Sequence, residues 1–244
     1  MSDIHIHINN KTYTTADSRR HTAISDFKLT LPENKFVCLV GPSGCGKTTL
    51  LNIIANLDTQ YQGEICLDIS HKKNNIGYIF QNPRLLPWRT VRENIELALD
   101  SPQSDIIDSL LKTMQLTDIQ HRYPEHLSLG MSRRVSIIRA FAINPGILLM
   151  DEPFVSLDAP TARQVRGLLI QLWKQRPHTI LFVTHDLREA IALADRLVFL
   201  SASPMSVISE IEVTIPRAER NNETAIESFR QHLLVQHPEI KELL

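Results

Sequence analysis

The stretch "GPSGCGKTT", Gly41 to Thr49, constrains this chain more than any other. It follows "KFVCLV" (35–40), a short apolar run rich in β-formers, and leads into "KTTLLNIIANL" (47–57), where Leu50, Ile53, Ile54 and Leu57 recur at helical spacing. A strand, a glycine-rich turn and a helix open an α/β unit. The turn fits G-x-x-x-x-G-K-[ST], whose residue types answer the needs of phosphate binding. Gly44 and Gly46 let backbone N–H groups turn inward, with Gly41, Pro42, Ser43 and Cys45 completing the loop. The helix N-terminus adds partial positive charge. Lys47 reaches the terminal phosphates, and Thr48, the last residue of the motif, offers its hydroxyl to Mg²⁺. The bland alternative is an ordinary glycine-rich turn. Cys45, inside the loop, needs no role but would make the site sensitive to thiol modification.

The rest of the chain continues the alternation. "IHIHI" reads as a half-buried strand with His5 and His7 on its polar face, as solvated histidines rather than a metal pair. "IGYIF" (76–80), "ILLM" (147–150), "TILFV" (179–183) and "RLVFL" (196–200) read as strands, and "VISEIEVTI" (207–215) as an edge hairpin. From Thr90 to about Phe141 the pattern is helical: Ile106, Ile107, Leu110, Leu111 and Met114 form a stripe, with Ser104 as the expected N-cap. A helix capped by Asp158 turns Val165, Leu168, Leu169 and Leu172 inward, another follows at 187–194, and the charged segment after Pro216 carries a last one near 222–235. Strands alternating with helices imply an α/β fold with a mainly parallel sheet covered on both faces and a helical lobe inserted into it.

Three strand ends carry chemistry. "ILLMDEP" delivers Asp151 and Glu152 at the C-terminal end of a buried strand, where open α/β sheets bind ligands. Asp151 suits Mg²⁺ held through water, and Glu152 suits a general base on the attacking water. Gln81 follows "IGYIF"; its amide can ligate Mg²⁺ through oxygen and contact water through nitrogen. His185 follows "TILFVT" and suits a hydrogen bond to a γ-phosphate, with Asp186 placed to cap the next helix. Taken singly, Gln81 and His185 also fit plain structural roles.

Composition excludes other classes. Twenty-six basic against twenty-seven acidic residues give a net charge of −1, too little for tracking nucleic acid by electrostatics. Three cysteines without a C-x-x-C pair suggest reduced thiols in a cytoplasm. The N-terminus lacks a secretory pattern, and no apolar run approaches the ~18 residues that span a bilayer.

In this order "GPSGCGKTT", Gln81, "LSLGM", "ILLMDEP", "SLDA" and "THD" resemble an ABC-type ATPase domain, from about Asp3 to Ser209. The resemblance implies a P-loop NTPase (RecA-like) core, an N-terminal antiparallel β subdomain and an α-helical subdomain inserted at about 90–142, with 1–215 as the cassette and 216–244 as a charged helical tail. It implies ATP and Mg²⁺ as cofactors, Thr48, Gln81 and Asp151 around the metal, Glu152 as catalytic base, His185 as switch, and Gln81 as sensor. It also implies a D-loop at Ser156–Asp158, with Asp158 among the nucleotide-binding residues, and a head-to-tail dimer in which Ser128 and Gly130 of the signature (127–131) meet the other subunit's nucleotide. "RLLPWRTVRENI" (84–95) is similar to the nitrate, sulfonate, taurine and bicarbonate importer subfamily. That implies two membrane permease subunits, an external solute-binding protein, a homodimer or a heterodimer with a paralogue, and a peripheral place on the cytoplasmic face of the inner (plasma) membrane. The apolar cluster Leu85, Leu86, Pro87 and Trp88 is expected to dock a partner helix rather than pack under the helical lobe. The alternative is a soluble ABC ATPase in a non-transport role; a small-molecule kinase or GTPase lacks the Asp-Glu-Pro and His185 set.

The chain departs from that pattern in five places. Met131, Ser132 and Arg133 stand where the signature has a glutamine and polar residues after it, methionine at the first being familiar in the subfamily. Leu129 stands where the signature has a second glycine; it is strained by about 1–3 kcal/mol if that position needs φ > 0, and adds only bulk if it does not. Asn34 occupies a turn usually held by glycine and tolerates it. The family stacks adenine on an upstream aromatic; Tyr13 is the candidate, with "TTADSRRH" as a hairpin extension bringing it close. "SASPMS" (201–206) replaces the subfamily's usual Arg-Pro-Gly.

Overall fold

A computed structural model of the chain describes residues 3–14, 20–66, 75–101, 103–241 and 243. The chain divides into two compact units, Met1–Ser70 with Thr179–Leu244, and His71–His178.

In the first unit the "IHIHI" alternation lies in β1 (Ile4–Thr14), which pairs antiparallel with β2 (Arg20–Leu31) on one edge and β4 (Gln62–Cys66) on the other. Ile6 and Ile8 are buried while His5 and His7 are exposed, as strand alternation requires. His7 Nε2 lies 3.7 Å from Asp26, a surface pair. The hairpin turn expected within "TTADSRRH" falls at 15–19, outside the described residues.

The same unit holds β3 (Phe36–Val40), all of whose residues are buried, between parallel β7 (Thr179–Thr184) and β8 (Arg196–Leu200). Burial on both faces is why these strands read as continuous apolar runs. The expected hairpin at 207–215 is one edge strand, β9 (Val207–Glu212), antiparallel to β8. Asn34 sits at φ 54, as its turn demands. Helix α1 (Lys47–Ile54) stops earlier than its apolar stripe suggests. Asn56 takes φ 57, its N–H bonds Ile53 O, and Leu57 N–H bonds Asn52 O, a Schellman closure that leaves Leu57 62 % exposed.

Asp186 caps α6 (Leu187–Leu193), accepting from Arg188 N at 2.8 Å. The charged segment after Pro216 is riveted to this unit before α7 (Glu223–Gln236) and α8 (Pro238–Lys241) begin. Asp195 accepts from Phe36 N and pairs with Arg217, and buried Arg220 donates to the carbonyls of Ile215, Ala194 and Val213.

The second unit pairs β5 (Ile76–Ile79) parallel with β6 (Ile147–Asp151) and adds α2 (Val91–Glu96), α3 (Ser104–Thr113), α4 (Leu129–Ala142) and α5 (Ala159–Gln175). The α3 stripe buries Ile107, Leu111 and Met114 and half-buries Ile106 and Leu110. Ser104 is not its N-cap. The Gln103 carbonyl accepts from Ile106 and Ile107, which makes Gln103 the cap and Ser104 the first helical residue. Asp158 does cap α5, and Val165, Leu168, Leu169 and Leu172 are buried. Among the described residues no helix is long and apolar enough to cross a membrane.

Candidate nucleotide site

The phosphate-loop residues leave the end of β3, whose Val40 pairs with Thr184 on β7, so Gly41 and His185 emerge from adjacent strand ends. Gly44 sits at φ 77 and Gly46 at φ 117, conformations that L side chains rarely adopt. A Cβ on Gly44 would meet nothing within 4 Å, so φ alone demands glycine there. At Gly46 a Cβ would also lie 3.3 Å from Ala23 O. Gly46 is the N-cap of α1 with no side-chain cap, which leaves the first-turn N–H groups to an external acceptor. This turned-in backbone fits a phosphate group. Lys47 is 6 % exposed, and its ammonium donates to Gly41 O at 2.7 Å and Pro42 O at 2.9 Å, which folds it over the loop. Thr48 is exposed and Thr49 half-buried. Cys45 is 2 % exposed and burial pushes its thiol up, so thiolate chemistry is disfavoured.

The antiparallel sheet and the "SASPMS" segment back this loop. Met205 is fully buried, exchanges backbone hydrogen bonds with Ala23 and Ser25, and lies 3.7 Å behind the Gly46 Cβ position. Tyr13 comes to the same helix start, its hydroxyl 3.2 Å from Thr49 Oγ1 and 3.1 Å from Asp58 Oδ2, with the ring 40 % exposed. Lys11, 2 % exposed, bonds Asp58 at 2.7 Å and sits 4.5 Å from the Tyr13 ring centroid. Its position on the exposed-looking sequence of β1 gave no hint of this burial. His185 is exposed at the end of β7, and the turn beneath it is fixed by Asp186 N–H donating to Thr184 Oγ1 and by Thr184 Oγ1 donating to buried Glu189.

In the second unit, register Ile79↔Met150 brings Gln81 beside the end of β6. Gln81 Nε2 lies 3.4 Å from Glu152 Oε2. Asp151 is 6 % exposed and Glu152 half-buried at φ 43, a conformation that costs about 1–3 kcal/mol outside glycine. Oxygen donors from Asp151 and Gln81 suit a hard cation such as Mg²⁺. Tyr78 stacks on Phe80 at 4.1 Å, with the Arg84 guanidinium 3.9 Å over Phe80; burial and then the Asp151 carboxylate push the Tyr78 phenol up.

The signature turn opens α4. Ser128 is its N-cap in extended conformation, φ −67 and ψ 161, and Ser128 Oγ accepts from Met131 N at 3.2 Å. Leu129 is the first helical residue and is 42 % exposed, so its side chain adds surface bulk without backbone strain. Gly130 is buried, and a Cβ there would meet Thr161 Cγ2 at 2.7 Å. Asp158 uses its carboxylate to cap α5, accepting from Thr161 N at 3.0 Å and Thr161 Oγ1 at 2.7 Å, and those bonds hold its acid below the usual carboxylate range.

The loop after Gln81 does not pack its tryptophan under the helices: Trp88 is 68 % exposed. Fully buried Asn94 shapes that loop, accepting from Leu86 N and donating to the carbonyls of Leu86, Arg89 and Thr90. Arg133, buried on α4, donates to the carbonyls of Phe80 and Gln81. Both were missed in the sequence: a lone Asn gives no sign that it will close the loop just before it, and a run of two arginines gives no sign of carbonyl partners far along the chain.

Comparison with known proteins identifies the family. Residues 24–155 match the ABC transporter family. The chain is 39 % identical over 230 residues to the aliphatic sulfonates import ATP-binding protein SsuB of Bacillus cereus, covering 92 % of each. It is 38 % identical over 222 residues to the nitrate import ATP-binding protein NrtD of Synechococcus elongatus, covering 86 % of this chain and 81 % of that one. Among solved structures it is similar to the ATP-binding cassette MJ0796 in a dimeric post-hydrolysis state bound to ADP and phosphate, with TM-score 0.74, 30 % identity, and coverage of 86 % of this chain and 98 % of the other. The chain has the P-loop NTPase fold of an ATP-hydrolysing cassette and belongs to the ABC transporter family.

Proposed function

We propose that this chain energises import of a small solute, of the sulfonate, taurine or nitrate kind, across the inner membrane. The observation that carries this reading is 39 % identity to a sulfonate-import ATP-binding protein over 92 % of both chains. In this reading, residues 1–215 form the cassette with the helical part at about 90–142, and 216–244 form the tail. The chain sits peripherally on the cytoplasmic face, on two membrane permease subunits served by an external solute-binding protein. The exposed Trp88 loop supports a docking role, because a large aromatic held out on a stapled loop is a ready anchor for a partner.

Each residue then has a task. The backbone N–H groups of Gly44 to Thr48 and the Lys47 ammonium hold the phosphates, and the exposed Tyr13 ring carries adenine. Thr48, Gln81 and Asp151 hold Mg²⁺, which neutralises phosphate charge when bound. Glu152 takes a proton from the attacking water; the Gln81 amide orients Glu152, and His185 donates to a phosphate oxygen. Ser128, Gly130 and Asp158 serve the nucleotide of a second subunit, so ATP closes a homodimer, or a heterodimer with a paralogue, and hydrolysis opens it.

The test is ATP-driven uptake of a labelled alkanesulfonate or nitrate into vesicles holding this chain with a sulfonate- or nitrate-importer permease and its solute-binding protein. Uptake with the natural chain and none with Glu152→Gln is expected. Hydrolysis without any membrane association would instead favour a soluble ABC ATPase.

A further inference from the structure

Arg133 lies in the second turn of α4, behind the signature, and is 1 % exposed. Its Nη1 donates to Phe80 O at 2.7 Å and its Nη2 to Gln81 O at 2.5 Å, while its buried Nε has no hydrogen-bond partner. Among the described residues no carboxylate pairs with it. A guanidinium taken from water and met only by carbonyl dipoles is a costly way to fill space, and a methionine would fill it at less cost. What the arginine adds is a fixed position for two consecutive carbonyls. Arg139, farther along the same helix, repeats the device: it donates to Pro83 O at 2.8 Å and Arg84 O at 3.0 Å. One helix therefore grips four backbone carbonyls between residues 80 and 84. The loop so held carries the Gln81 side chain, 3.4 Å from Glu152.

We infer that Arg133 is a positioning residue that makes the Gln81 loop ride on the signature helix, so that a displacement of α4 is felt at the Gln81–Glu152 contact. The inference rests on the reading of Gln81 and Glu152 as reaction groups. Arg133 acts through the Gln81 backbone, and its neighbour Ser128 caps the same helix, so engagement of the signature and alignment of the catalytic glutamate become one movement.

A double-mutant cycle tests this. ATP hydrolysis is measured for Arg133→Met, Gln81→Ala and the pair, with Arg133→Lys as the conservative variant. Arg133→Met should lower kcat about tenfold while KM stays within about twofold, because it removes alignment rather than binding. In the Gln81→Ala background the same change should cost less than about twofold. Arg133→Lys, which keeps the charge and can still donate to a carbonyl, should recover part of kcat. The same loss in both backgrounds would overturn the inference while leaving the role of Gln81 intact, as would a rise in KM at unchanged kcat. Unchanged kcat for Gln81→Ala alone would remove both the role of Gln81 and the inference. If Arg133→Met does not fold, the cycle built on Arg133→Lys has the same two opposed outcomes.

Discussion

The phosphate loop and the signature turn are both glycine-marked turns that lead into a helix, yet glycine meets a different physical need in each. At Gly44 and Gly46 the need is backbone conformation, φ 77 and 117. At Gly130 it is space, because Thr161 Cγ2 stands 2.7 Å from where a Cβ would be. At Leu129 the chain's own fold imposes neither need: the backbone is helical and the side chain is exposed. A motif residue is replaceable within the fold where neither φ nor a neighbour excludes a side chain, as at Leu129, and constrained where one of them does, as at Gly130.

The largest effect should come from the conformational glycine. Gly46→Ala imposes strain of about 1–3 kcal/mol and crowds Ala23 O, so ATP hydrolysis should fall roughly a hundredfold and Tm by roughly 2–10 °C. Retained activity would break the distinction.

Acid probes the far end of the signature helix next. His178 rests its ring edge-on against Phe141 of α4, 4.9 Å between centroids, and burial lowers its pKa from 6.5 to about 4. The folded protein then binds fewer protons than the unfolded chain between those values. Stability is therefore full above pH 6.5 and is lost as pH falls toward 4, by about 2 kcal/mol at pH 5. Denaturant unfolding from pH 7 to 5 checks this, and His178→Gln should flatten that slope.

A smaller loss separates space from conformation at the signature. Gly130→Ala should reduce hydrolysis about tenfold, and adding Thr161→Ser, which deletes the interfering methyl but keeps the hydroxyl on Asp158, should restore most of it. No rescue would mean that Gly130 is needed for something other than room. The smallest effect is at Leu129→Gly, where hydrolysis should stay within about twofold and helix stability should drop by under about 1 kcal/mol. A large gain in activity would mean that the leucine impairs the grip.

Much of this was legible because it depends on local chemistry. The buried strands announce themselves as apolar runs, and the phosphate loop, Asp151 and Glu152 follow from residue types at fixed spacing. Asp158 and Asp186 cap helices as their positions suggest. Ser104 misled because a Gln103 carbonyl starts α3 without any side-chain cap, so the usual capping residue sits one place too late. Strands β2 and β4 were not separately legible, since they are partly exposed and owe their form to pairing with β1. Lys11, Asn94 and Arg133 were invisible for a different reason. Lys11 and Arg133 reach their partners, Asp58 and carbonyls more than fifty residues away, only through the tertiary fold, and Asn94 finds its carbonyls only once the loop just before it has folded back on it. The role of "SASPMS" likewise appears only when Met205 is found behind Gly46.

The central claim is that the signature turn remains a working grip with leucine at position 129. Glu152→Gln should bind Mg-ATP and stall before hydrolysis, so its mass by light scattering, with and without Mg-ATP, reads the grip directly. The mass should double with Mg-ATP and return to that of the monomer when nucleotide is removed. A persistent monomer with ATP demonstrably bound would contradict it.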